Sequence, residues 1–308
     1  MRYVFGVLLL LLGAQGVWAI DSAAIKKLRL QSQQKNSSVL LLSVNNRLLI
    51  DDISGGSDRL YSLQAVTQGL FALAAIAELQ DQKIDLSTSA QRWYPEWLDN
   101  RMTISFLHLF SHSSGFAEQD SLLFTQKNMM EWGRKQILTY SPGTQFVFSN
   151  TNFIVAGDLV QRATGKNAEQ IIRHRLFLPL SITKSKFEKD HSGNFISSGG
   201  LHLRPYDLLK IGHLIANNGL FAKRNLIATS IIEKIGEPSR ANSQYGLGWW
   251  LADSPKGKVI YTQGYQGQFL VIIPKQKIVA VRLKALVPEE QIKPEEEWES
   301  FPREIIKL

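Results

Sequence analysis

The chain has 308 residues, 44% hydrophobic and 20% charged, a balance that excludes a largely disordered protein. Its formal net charge is +8, but the basic residues are scattered and the one dense charge cluster, near the C-terminus, is acidic, so nothing resembles a nucleic-acid-binding stripe. There is no cysteine, which excludes disulfides, thiolate metal sites, a cysteine nucleophile and a lipid-modified N-terminal cysteine.

Residues 1–19 carry one positive charge at Arg2, an apolar run from Val4 to Leu12, and small residues at Val17 and Ala19. This is the pattern of a signal peptide cut after Ala19, and it predicts export to the periplasm or beyond the cell. The apolar run is too short to cross a bilayer comfortably, so no transmembrane span is expected after cleavage.

The stretch SVLLLSVNNRLLIDD (38–52) sets two β-rich runs around Asn45-Asn46, a pair that tolerates the left-handed backbone of a tight hairpin. From Leu63 to Leu79 apolar residues recur three and four apart with more between them, which predicts a helix buried on most sides. Residues 87–190 mix helical patterns with turn signals such as SHSSGF (111–116) and SPGTQF (141–146). A helix is predicted near 205–217, then β-like stretches at 245–252, 258–263, 267–273 and 277–283, and a closing helix after Pro294. Strands at both ends of the chain with helices between them predict an α/β (α+β) fold, an antiparallel sheet flanked by helices plus a mainly helical lobe. The expected organisation is a single two-lobed domain over 20–308, with 38–86 and 197–308 in the α/β lobe and 87–196 in the helical lobe.

Six segments then follow in order: QKIDL (82–86), TISFLHLFSHSSGF (103–116), SPGTQFVFSNTNFIVAGDLVQRATG (141–165), SSGGLHLRPYDLLKIGHLI (197–215), YGLGWWL (245–251) and YTQGYQGQFLVIIP (261–274). Together they resemble the β-lactamase and penicillin-binding serine hydrolase superfamily, most closely its class C, esterase and D-Ala carboxypeptidase-like branch, over about residues 38–284. The resemblance implies the β-lactamase/DD-peptidase fold with a cleft between two lobes.

It also implies machinery that this chain lacks. Members open the central helix with S-x-x-K, and the leucine of the following turn lies 21 residues after the serine; counting back from Leu86 lands on Ala65. The lysine position is then Gln68, and the tyrosine of the Y-x-N loop is Phe148, leaving Asn150 in place. That chemistry needs a hydroxyl to attack, an amine one helical turn on to keep it deprotonatable, and a phenol to relay the proton. Ala65, Gln68 and Phe148 supply none of these. At the strand that edges the cleft, where members carry K-T-G or H-x-G, stands YTQG with Thr262, Gln263 and Gly264. Backbone N–H donors, at Ala65 and near Gln266, would survive beside Asn150 while the reacting groups do not.

The expectation is therefore an exported pseudoenzyme that binds a peptide, glycan or protein ligand in the relic cleft, with no cofactor and no metal. The candidate ligand contacts are Asn150, Thr262, Gln263, Gly264 and Trp249, the last from a Trp249-Trp250 pair that could wall the cleft. The alternative is an active serine hydrolase with a non-standard nucleophile. For that, SQQK (32–35) and SITK (181–184) do not open the central helix, Ser62 falls one turn before Ala65, and Thr67 points about 160° away from it. His108 and His112 share a helical spacing, but no third ligand at diagnostic spacing accompanies them.

Overall fold

The computed structural model describes residues 20–293 and 296–308, so the signal-peptide reading of 1–19 and the helix-initiating role of Pro294 lie outside the described residues. The chain begins with helix α1 (Ser22–Gln34), N-capped by Asp21, whose side chain accepts the Ala23 N–H. Strands β1 (Val39–Val44) and β2 (Arg47–Ile53) form the predicted hairpin. Asn45 and Asn46 take φ of 50° and 62°, the left-handed conformation that a two-residue turn demands at both positions.

A short strand, β3 (Tyr61–Ser62), leads into helix α2 (Val66–Asp81), buried at every position from Val66 to Leu79. In the middle region the longest helix is α3 (Asn150–Thr164), ended by Gly165 at φ 74°. Strands β4 (Ser185–Phe187) and β5 (Leu201–Leu203) join β3 in a small sheet of order β3-β5-β4 that the sequence did not announce. Helix α4 (Pro205–Ala216) precedes the last strands, β6 (Trp250–Ala252), β7 (Val259–Gly264), β8 (Gln268–Ile273) and β9 (Ile278–Leu283). Helix α5 (Phe301–Lys307) closes the chain.

The main sheet has the order β2-β1-β9-β8-β7-β6, and all its pairs are antiparallel. The first hairpin is thus zipped onto the last strand, Val39 opposite Leu283, as strands at both chain ends imply. Both faces of this sheet are covered. Leu41, Leu270, Ile272, Val279 and Val281 join the core built with α2 and α4, while Leu40, Leu42, Val271, Ile273 and Ala280 join a second cluster with Leu28, Trp298, Phe301 and Ile305. The period of two in side-chain direction splits each strand between the two cores. That explains why these strands read as continuous apolar runs rather than alternating ones.

The strand expected over 245–252 is shorter than its sequence implied. Gly248 has φ 83°, and a Cβ at Gly246 would come 2.6 Å from the Ile235 carbonyl, so the backbone before Trp250 turns away from the sheet.

Candidate functional site

Helix α2 starts where β7 and the small sheet converge. Gln64, at φ 51°, turns the chain from β3 into the helix, and the N–H groups of Val66, Thr67 and Gln68 bond the carbonyls of Leu63, Gln64 and Ala65. Gly264 passes close by: a Cβ there would lie 2.5 Å from the Leu63 carbonyl oxygen and 3.1 Å from the Ala65 nitrogen. Only glycine lets the edge of β7 approach the helix start. A cavity of about 540 Å³ opens at this junction, lined among others by Ala65, Phe148, Asn150, Gln263 and Gly264. The sequence expectation placed these five residues at one site, and the fold brings them together.

Below the cavity lies a chain of neutral hydrogen bonds centred on Gln68, which is 1% exposed. Its Nε2 donates to Asn150 Oδ1 at 2.9 Å and to the Ser198 carbonyl at 3.2 Å, and its Oε1 lies 3.0 Å from His112 Nε2. The Ser149 N–H donates to His112 Nδ1, so the proton of the neutral ring sits on Nε2 and is given to Gln68. Burial holds the His112 pKa down to about 3, and the ring stays neutral. His112 is boxed by aromatic rings, with Phe148 at 4.4 Å and Phe153 at 5.2 Å between centroids.

Asn150 continues the chain. It receives Gln68 on its oxygen and gives its Nδ2 and backbone N–H to the two carboxylate oxygens of Asp120. Asp120 thereby caps the start of α3, where the helix dipole favours a negative charge. Burial raises its pKa above the ordinary value, outweighing the bonds from Asn150.

Two candidate contacts are corrected. Trp249 is fully buried and packs under α2, 2.9 Å from where a Gly69 Cβ would stand, so it belongs to the core. Its neighbour Trp250 points the other way and lines the cavity. Thr262 is 2% exposed and outside the lining, because on β7 it faces opposite to Gln263. The structure also separates His108 from His112. His108 lines a different hollow with Pro142 and Lys234, while both ring nitrogens of His112 are already engaged.

Sequence reasoning missed Asp120, Ser198, Tyr265, Glu297 and Glu299, all of which line the cavity. Asp120 and the two glutamates carry no motif spacing that could have found them. Ser198 and Tyr265 stood inside quoted segments without a role.

The six-stranded antiparallel sheet, the buried helix edged by β7 and the cleft at its N-terminus define a serine hydrolase-like protein of the β-lactamase/DD-peptidase fold. The chain belongs to the beta-lactamase family, whose model matches residues 32–298. It is 20% identical over 264 residues to penicillin-binding protein 4* of Bacillus subtilis (strain 168), covering 70% of this chain and 58% of that one. It is 23% identical over 227 residues to a beta-lactamase of Escherichia coli (strain K12), covering 64% and 58%. The chain thus spans 58% of the length of each of these curated relatives. Among solved structures, the D-alanine carboxypeptidase of Burkholderia cenocepacia superposes with a TM-score of 0.68 at 16% identity, covering 92% of this chain and 98% of that one.

Proposed function

We propose that the protein is a non-catalytic member of its family, exported through residues 1–19, that binds a ligand in the cleft at the start of α2. The observation that carries this reading is Gln68. The residue at the expected lysine position has no ionisable amine, and its amide is committed to His112, Asn150 and Ser198. Ala65, one helical turn before it, offers no attacking atom, and Phe148 offers no phenol. Loss of a nucleophile or its base alone costs about a million-fold in turnover.

The alternative of a different hydroxyl finds little support. Among the described residues that line the cavity, Ser198 is the one serine or threonine, with no lysine or histidine beside it. Ser62 accepts a bond from Gln64 Nε2 and also lies outside the lining.

The test is incubation with a fluorescent penicillin and a fluorophosphonate, followed by intact-mass measurement. The expected result is an unchanged mass. A stoichiometric adduct on one hydroxyl, lost when the protein is denatured beforehand, would overturn the reading and return the protein to the enzymes.

A further inference from the structure

Resting on the reading of the cleft as a binding site, we propose that its ligand is a cation, a group bearing an amine or quaternary ammonium. Among the described residues the lining carries three charged side chains, Asp120, Glu297 and Glu299, and all are acids, with no lysine, arginine or histidine beside them. Asp120 is half-buried, its hydrogen-bond partner Asn150 is neutral, and the one charge that acts on it, Glu118, is also negative. A carboxylate so placed lacks the opposite charge that partly buried acids ordinarily acquire.

Arg282 and Lys284 are occupied by other partners, and Arg303 lies aside. Arg282, on which Glu297 acts, is buried and donates to Ser37, Gly267, Lys35 and Glu296. Lys284 is bonded to Glu296. Arg303 shares a neighbouring hollow with Glu297 and Glu299 but does not line this one.

The apolar part of the wall has matching chemistry. Phe148 and Trp250 stand nearly parallel, 6.5 Å apart and inclined by 14°, and Phe124 and Tyr265 are half exposed at the same cavity. Aromatic faces attract ammonium groups, and acids beside them add to the attraction. The Ser198 hydroxyl is a third, independent mark of an occupant. The residue is 1% exposed, it lines the cavity, and its Oγ is without a hydrogen-bond partner among the described residues. A buried hydroxyl left unpaired costs free energy that a ligand atom would recover. The protein as a whole is positive at +8, so its long-range field works against a cation and the preference has to come from these local groups.

The experiment is a calorimetric titration of the protein with three probes of similar size: benzyltrimethylammonium, benzyl alcohol and benzoate. The ammonium is expected to bind about tenfold more tightly than the alcohol, with benzoate the weakest. Asp120→Asn is expected to erase most of that preference. The double variant Glu297→Gln/Glu299→Gln repeats the comparison without touching the Asn150 bonds, in case Asp120→Asn melts early. Benzoate binding as tightly as the ammonium, or a preference that survives both variants, overturns the charge assignment. Ala65→Trp, which puts a bulky ring into the cavity at the helix start, separates the charge assignment from the cleft reading. If it abolishes binding of a probe that shows no cation preference, the cleft reading stands and the charge proposal falls. If binding survives it, or no probe binds the unaltered protein, both fall.

Discussion

Gln68 shows how much one side chain can decide. Its carbonyl takes the His112 Nε2–H and its amide feeds two acceptors, so every polar atom of a buried residue is used. A lysine there could still donate to Asn150 and Ser198, but it could not accept from His112. The ring cannot simply change tautomer, because its Nδ1 already faces the Ser149 N–H. Gln68→Lys is therefore expected to cost about 1–3 kcal/mol, the penalty of a buried donor left facing a cation. Thermal melting would read this as a lower midpoint, and an unchanged midpoint would show that the network rearranges freely. The identities at 65, 68 and 148 were legible in the sequence because ordered motifs on both sides pinned the register. Trp249 against Trp250, and Thr262 against Gln263, were not. Neighbouring residues on extended chain point opposite ways, and which one meets the cavity depends on how that segment packs against α2.

At the level of elements, α2 is a helix with no polar face, and its one buried acid is held by its neighbours. Glu78 is 1% exposed and bonded by Lys166, Arg175 and Gln82, while Arg175 also reaches Asp81. Burial pushes its pKa up, but these bonds prevail and hold it down to about 2. Removing the charge strands Arg175 in a half-buried position, so Glu78→Gln is expected to cost about 2–4 kcal/mol. The Arg173–Glu169 pair, four residues apart on the surface, should by contrast be worth less than about 1 kcal/mol. Paired chemical denaturation curves for Glu78→Gln and Glu169→Gln would check the ranking, and equal losses would contradict it. The hairpin at Asn45-Asn46, α2, α4 and the last three strands were all visible as local patterns. Helix α1 was not, because it buries only Leu28 and Ser32 and its apolar stripe is correspondingly faint.

Across the molecule, burial works against the charged form of three histidines. Burial lowers the pKa of His112 to about 3 and also lowers those of His108 and His213. In the unfolded chain these rings take up protons near pH 6.5, whereas in the folded state they do so at lower pH, His112 only near about 3. The unfolded state then binds more protons over that interval, so stability is complete above about pH 6.5 and declines as the pH falls. His112 alone should contribute a loss approaching about 1.4 kcal/mol per pH unit within the window. Glu78 adds its own loss only below its unfolded value of 4.5, where the free carboxylate is protonated first. Melting midpoints measured from pH 6.5 to 4.5 should therefore fall, and fall less steeply in His112→Gln; a slope unchanged by that substitution would place the proton uptake elsewhere.

The sequence by itself determined the family fold, the both-ends sheet, and the absence of serine, lysine and tyrosine at 65, 68 and 148. These follow from residue identity and local period, which a chain carries in its letters. Only the tertiary structure decided what surrounds the vacated position. Asp120, Ser198, Trp250 and Glu297 come from four distant stretches of chain and meet at one cavity because α2, α3, the small sheet and the C-terminal segment pack there. The charge of that cavity is a sum over segments whose proximity no local pattern encodes, since side-chain direction and loop placement are set by strand register and by packing across the core.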